Sequence, residues 1–302
     1  MENKTILITG IHGFIGSYLS ATLQSSFPTA RVFGLSRYES PKEPHILAAD
    51  LLKKDALYSV FERIQPDYIF HLAGVIYSQD WTQLYAGNVE ATINLLEAVK
   101  GHALSTRIII PGSAAEYGRI LAADLPLTEM QPPNPVSPYG VTKVWQTTLA
   151  KYYTTHGLDM VVGRMFNIIG RGAPEGLSIG AFASQLRRIK IGELPPKIMV
   201  GNLKPKRDFL DIFDACMGLI TLATNGRSGE VYNICSGNSV SMEYILNKMV
   251  GFIGIEVEVI VDPSRLKRAD IEDIFGTNQK IQAETGWSPT VPLDISIEKV
   301  VN

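Results

Sequence analysis

Apolar positions along this chain fall into short unbroken runs that alternate with longer, interrupted stretches. Thr5-Ile6-Leu7-Ile8-Thr9 is such a run, of the length and composition of one buried strand. After a glycine-rich turn, Phe14, Ile15, Leu19 and Leu23 recur at helical spacing. Further strand-like runs lie at 31–35, 46–50, 67–74 and 106–110, with helical periodicity at 53–64, 81–100 and 139–156. Strands and helices alternating at these lengths predict an α/β fold, a doubly wound parallel sheet with its ligand at the strands' carboxyl ends. In the second half, 170–180 and 194–206 read as long Gly/Pro loops carrying Arg171, Lys204, Lys206 and Arg207, cations suited to a diphosphate. Another loop holds the basic cluster Arg265-Leu266-Lys267-Arg268.

The turn after the first strand is Gly10-Ile11-His12-Gly13-Phe14-Ile15-Gly16. Strand, Gly-x-x-Gly-x-x-Gly and helix together form the context of a dinucleotide site. Gly10 allows the tight turn, Gly13 lets backbone approach a pyrophosphate, and Gly16 lets helix and strand pack. His12, Phe14 and Ile15 complete the turn, and the helix start offers amides to phosphate. After the second strand an NAD site would carry a carboxylate for the ribose diol. Ser36-Arg37 stand there instead, and a guanidinium suits a 2′-phosphate. NADP(H) is therefore expected to be preferred, with NAD(H) possible; Glu39, two residues on, is placed to blunt the preference. Arg37 would serve equally well as a solvated loop residue.

Ser137 and Pro138 form an N-cap and a first helical residue, so Tyr139 and Lys143, four apart, share one helix face. An ammonium one turn from a phenol favours phenolate and is expected to lower a pKa that starts near about 10. Ser113, in the loop that follows the fifth strand, would hold the reacting oxygen. Taken alone, Tyr-x-x-x-Lys describes a packed tyrosine beside a solvated lysine just as well. His71 ends the fourth strand, where an imidazole satisfied by backbone fits better than a catalytic one.

The 302 residues are 45% hydrophobic and 19% charged, with net charge −2. That is a globular composition without a basic face for nucleic acid or anionic lipid. Cys216 and Cys235 lie in apolar segments and read as buried free thiols of a reducing compartment. No Cys/His spacing suggests a metal. Met1 to Lys4 lead directly into a strand, and no run reaches transmembrane length. A cytoplasmic location away from membranes is expected.

An ordered set of motifs resembles the extended short-chain dehydrogenase/reductases that act on nucleotide sugars. It comprises the glycine turn, His71-Leu72-Ala73-Gly74, Ser113 with Tyr117-Gly118, Tyr139-x-x-x-Lys143, Arg164-Met165-Phe166-Asn167-Ile168-Ile169-Gly170, Lys206-Arg207-Asp208-Phe209, Val231-Tyr232-Asn233-Ile234 and Gly286-Trp287-Ser288-Pro289. The set spans essentially the whole chain. The resemblance implies a Rossmann domain over 1–165 and 206–235, and a smaller nucleotide-sugar-binding domain over 166–205 and 236–302. It implies Ser113, Tyr139 and Lys143 as the catalytic triad, with Tyr139 and Lys143 also at the cofactor. Asp50 and Leu51 would lie at the adenine end, Leu72, Ala73 and Gly74 along the nicotinamide side, and Asn88 in the site wall. Substrate would meet Ser113, Ala114, Tyr139, Asn167, Arg207 and Arg268.

Dehydratases of this group carry an acid pair directly after the hydroxyl residue. Ala114-Ala115 occupy those positions here, and Glu116 comes one residue too late. The phrases around 136–143, 166–170 and 200–211 resemble the GDP-4-keto-6-deoxymannose reductases most. Lys267-Arg268-Ala269-Asp270 departs from the usual Arg-Pro-x-Asp, which leaves base and sugar open. The expectation is an NAD(P)H-dependent 4-keto reductase of a nucleoside-diphosphate 4-keto-6-deoxyhexose, GDP-linked by preference. The alternative is an NAD-dependent 4-epimerase, and a non-catalytic binding protein is the third reading. Surplus apolar residues on helices 81–100 and 139–156 lead us to expect a homodimer.

Overall fold

The computed structural model describes residues 1–102, 105–266 and 271–302. In chain order the first half forms β1 (Thr5–Thr9), α1 (Phe14–Ser26), β2 (Arg31–Ser36), β3 (Ile46–Ala48), α2 (Lys54–Ile64), β4 (Tyr68–His71), α3 (Trp81–Leu84), a π-helical stretch (Tyr85–Glu90), α4 (Ala91–Gly101), β5 (Arg107–Ser113) and α5 (Pro138–Thr155). The second half forms β6 (Asp159–Met165), β7 (Asn167–Ile169), α6 (Ser178–Lys190), β8 (Lys197–Val200), β9 (Lys206–Asp211), α7 (Ile212–Asn225), β10 (Val231–Ile234), β11 (Ser239–Ser241), α8 (Met242–Ile253), β12 (Glu258–Val261), β13 (Asp273–Ile274), α9 (Gln279–Thr285) and α10 (Leu293–Val301).

Seven strands form one sheet in the order β10-β6-β5-β4-β1-β2-β3, and every pairing in it is parallel. Its strands are apolar on both sides because both faces are covered. Ile6, Ile8 and Ile109 pack with α1 and α7 residues such as Leu19, Leu23 and Leu219. Leu7, Ile108 and Ile110 pack on the other face with Leu57, Leu95 and Tyr153 of α2, α4 and α5. Each such buried aliphatic side chain contributes roughly 1.5–3 kcal/mol. Chain order reverses between β1 and β4, and a crevice at their carboxyl ends is where this architecture places ligands.

The remaining strands build two small sheets, one holding β11, β9 and β13 with β7 paired to β9, the other β12 and β8. A separate core of α6, α8 and α10, including Phe182, Leu246 and Ile297, backs them. Sequence reading grouped 206–211 with the dinucleotide unit, but β9 takes its hydrogen bonds in the smaller sheet. The stretches 170–180 and 194–206 are not wholly loops: α6 begins at Ser178, and Lys197–Val200 pairs with β12.

Three boundaries in the first half also differ from expectation. The third strand stops at Ala48, and Asp50 turns to accept a hydrogen bond from Leu52 N at 3.0 Å. The fifth strand runs on to Ser113, pairing with Met165. The helix expected over 81–100 contains the π-helical stretch, and within it the Asn88 side chain is committed across the fold. Asn88 accepts from Val75 N at 2.7 Å and donates to Val75 O and Thr142 Oγ1 at 2.9 and 3.0 Å. A π-turn of this kind commonly marks a functional region. Among the described residues, no helix is long and apolar enough to cross a membrane.

Candidate active site

The glycine turn takes its shape from steric necessity. Gly10 has φ +70°, and a Cβ there would meet Ala73 N at 2.7 Å. A Cβ on Gly16 would fall 2.2 Å from Gly10 O, so the helix can enter this close only as glycine. Gly13, the N-cap of α1, supplies no side-chain cap. The first helical amides are thus left to an outside acceptor. This cradle, at the switch point of the sheet, fits a dinucleotide pyrophosphate.

Around the turn, Arg37 is exposed and lies 5.8 Å from the Tyr38 ring centroid. Ser36 accepts from Tyr38 N at 3.3 Å. A carboxylate lies next to the turn, that of Glu43. His12 Nε2 approaches Glu43 at 3.5 Å, and a hydrogen bond from Ser40, foremost, holds the Glu43 carboxyl below its usual range. Leu51, Leu72 and Ala73 are half-buried and Gly74 is exposed along the same crevice.

Ser137 caps α5, accepting from Gly140 N at 3.0 Å, and Pro138 is its first residue. The i,i+4 spacing puts Tyr139 and Lys143 on one face of α5, and the Ser113 hydroxyl neighbours the Tyr139 phenol. Lys143 Nζ sits 5.9 Å from the Tyr139 ring centroid. The phenol does not behave as expected, however. Burial pushes its pKa up to about 12, while the neighbouring Ser113 hydroxyl pulls the other way. Lys143, 8% exposed, is drawn down to about 8 by burial, and the charge of Glu116 opposes that shift. Desolvation therefore outweighs the proximity that i,i+4 spacing guarantees. The Lys143 ammonium donates instead to Pro111 O and Gln146 Oε1, both at 2.7 Å.

A buried hydrogen-bond chain continues from Gln146. Its Nε2 donates to Thr92 Oγ1 at 2.8 Å, and the Thr92 hydroxyl donates to Asn88 O at 2.6 Å. Thr92 can then only accept from His71 Nε2, 3.0 Å away, so the network assigns the Nε2–H tautomer. His71 Nδ1 accepts from Thr9 Oγ1 at 2.9 Å, and Thr9 accepts from Ala73 N at 3.1 Å. His71 is fully buried with its pKa at about 3, and hence neutral. Its partners are side-chain hydroxyls rather than the backbone groups expected.

Sequence reading missed Gln146, Thr92 and, above all, Glu116. Glu116 Oε1 accepts from Ser113 N at 2.8 Å, while Oε2 accepts from Thr147 Oγ1 at 2.9 Å and pairs with Arg164 Nη2 at 2.8 Å. The Glu116 side chain is wholly buried and that of Arg164 is 4% exposed. Breaking such a pair from one side costs about 3–5 kcal/mol. A Glu and an Arg in the flanks of two adjacent strands were the only signal the chain offered.

On the substrate side, Ala114 is buried and Asn167 Nδ2 donates to Asp208 O at 3.2 Å. Arg207 is half-buried, its Nη1 donating to the carbonyls of Lys206 and Ile271 at 2.7 Å. Arg268, with Lys267, Ala269 and Asp270, lies outside the described residues. Both cysteines are free and buried, and burial pushes both thiols up, Cys216 to about 12.

Residues 6–235 match the NAD dependent epimerase/dehydratase family. The chain belongs to that family. It is 30% identical to GDP-6-deoxy-D-mannose reductase of Pseudomonas aeruginosa, over 99% of this chain and 96% of that one. It is 27% identical to dTDP-6-deoxy-L-talose 4-dehydrogenase (NAD(P)(+)) of Kitasatospora kifunensis, over 86% and 82%. The structure of RMD from Pseudomonas aeruginosa complexed with NADPH superposes with TM-score 0.89 at 29% identity, covering 99% of this chain and 97% of that one. The protein is an NAD(P)-dependent extended short-chain dehydrogenase/reductase of the nucleotide-sugar class.

Proposed function

We propose that this family member reduces the 4-keto group of a nucleoside-diphosphate 4-keto-6-deoxyhexose, GDP-linked by preference, using NADPH. The observation that carries the reading is the pair of alanines directly after Ser113. Ala114 and Ala115 have no proton to give, and the nearest carboxylate, Glu116, is turned inward and held by Arg164. Dehydration at C5–C6 lacks its acid and base, whereas reduction at C4 needs neither.

When bound, a nicotinamide dinucleotide would supply a hydride for the carbonyl carbon. Tyr139 gives its phenolic proton to the carbonyl oxygen, and its high pKa keeps that proton in place at neutral pH. The Ser113 hydroxyl steadies the same oxygen. Lys143 supplies positive charge beneath the phenol and holds the nicotinamide ribose. Asn88 fixes the Val75 loop against α5. Gly10 to Gly16 with Ser36 and Arg37 hold the cofactor phosphates, Asp50 and Leu51 its adenine end, and Leu72 to Gly74 its nicotinamide side. Asn167 and Arg207, from the smaller α/β unit, receive the sugar nucleotide.

The same donors would serve a 4-epimerase, and the chain is 27% identical to a putative UDP-glucose 4-epimerase of Methanocaldococcus jannaschii. Incubating GDP-, dTDP-, CDP- and UDP-4-keto-6-deoxy sugars with NADPH separates the two. A reductase oxidises NADPH stoichiometrically and yields a 4-hydroxy sugar by NMR. An epimerase shows no net oxidation and retains its dinucleotide through purification.

A further inference from the structure

The Glu116 carboxylate joins three elements at one buried point. It meets the end of β5 at Ser113 N, β6 at Arg164, and α5 at Thr147, one turn past Lys143. The Arg164 guanidinium lies 4.5 Å from the Tyr117 ring centroid, and its Nε and Nη1 have no hydrogen-bond partner among the described residues. A buried ion pair with unspent donors is a costly way to fill space, since well-packed apolar residues do so at least as stably. What an apolar pair could not supply is a charge beside Lys143 and a shared anchor for Ser113 and α5.

We propose that Glu116 is a positioning residue for the reduction, setting the Ser113 main chain against the Lys143 turn and placing a negative charge at Thr147, one helical turn from Lys143. The inference rests on the proposed reductase reading. Several groups surround Lys143. Tyr139 and Gln146 belong to its own helix, the Pro111 carbonyl to β5, and neutral His71 to β4. Glu116 approaches from the turn after β5, backed by Arg164 of β6 and Tyr117, and Tyr77 faces the Tyr139 phenol. Among them Glu116 is the anion that opposes the burial of the ammonium.

The test uses full-length protein labelled with 13Cε-lysine, the Lys143 resonance being assigned by its loss in Lys143→Met. In Glu116→Gln the Lys143 titration midpoint is expected to fall by about one unit, the size of one lost charge partner. Arg164→Lys, which keeps the cation, should leave the midpoint within about 0.3 unit of wild type. A midpoint unchanged or raised in Glu116→Gln overturns the proposal. Thr147→Val keeps the carboxylate but releases it from α5, and it tests the anchor even where Glu116→Gln does not fold. It should lower kcat about three- to tenfold with KM for NADPH within about twofold, and wild-type turnover overturns the anchor. If wild type reduces none of the four nucleotide sugars, the reductase reading fails while the lysine titration still judges Glu116.

Discussion

The Lys143 ammonium lies 5.9 Å from the centre of the Tyr139 ring and gives its hydrogen bonds to Pro111 and Gln146 instead. Burial governs both groups, drawing the lysine down to about 8 and pushing the phenol up to about 12. Reduction needs both protonated. A cation whose pKa is lowered on folding loses its proton early as pH rises. kcat/KM should hold below about 8 and then fall about tenfold per unit. A pH–rate profile checks this; a plateau extending two units above that value would disconnect Lys143 from the reaction.

Replacing Tyr139 by Phe removes the proton donor and little else, since the ring and its packing stay. kcat should drop at least ~10²-fold with NADPH affinity nearly unchanged. Stopped-flow turnover together with cofactor titration measures both. Near-normal turnover would end the proposed chemistry.

Much of this was legible in the chain. Apolar runs at 5–9 and 106–110 become central strands, packed on both faces of the sheet. Ser137 and Pro138 set where α5 begins, and hence where Tyr139 and Lys143 point. Other features depend on contacts too distant for local pattern to carry. Within the π-helical stretch, the Asn88 amide is held by Val75 and Thr142, 13 and 54 residues away. The i,i+4 spacing of Tyr139 and Lys143 fixed their proximity but said nothing of burial, so the direction of the phenol's shift was misjudged. Glu116 looked like a misplaced acid because its partner Arg164 is 48 residues away.

Thr92 accepts from both Gln146 and His71 in a fully buried site. Thr92→Val is nearly isosteric yet leaves two buried donors, Gln146 Nε2 and His71 Nε2, without their acceptor. Each orphaned group costs about 1–3 kcal/mol, so urea denaturation should show a loss of at least ~2 kcal/mol. A loss under about 0.5 kcal/mol would mean that the chain is not stabilising.

Cofactor choice depends on the loop after β2. Arg37 is exposed and free to pair with a 2′-phosphate through two parallel hydrogen bonds, worth about ten- to a hundredfold in affinity. Arg37→Ala should cut the NADPH/NADH ratio of kcat/KM by that factor. Glu43, beside His12, is the opposing charge, so Glu43→Gln should raise the ratio about two- to fivefold. If wild type favours NADH, or Arg37→Ala leaves the ratio unchanged, this account of the loop is wrong.

The last expectation concerns assembly. On α5 one side is spent on the core, through Lys143, Gln146, Thr147, Ala150 and Tyr153. The other side presents Trp145 and Tyr152, seven residues apart and 41% and 54% exposed. Trp81 and Tyr85 add rings 6.3 Å from Trp145, and they are themselves 49% and 46% exposed. Four large aromatic rings gathered on two adjacent helices exceed what a lone protomer exposes by chance. A two-fold axis running along this face would bury it against its own copy. The helix that carries Tyr139 and Lys143 would then be held from both sides. We expect a homodimer at micromolar concentration by light scattering. Trp145→Glu places a charge at the centre of the face without touching the core, so it should halve the measured mass while circular dichroism stays native. A wild-type monomer, or a Trp145→Glu dimer of unchanged affinity, would place the interface elsewhere.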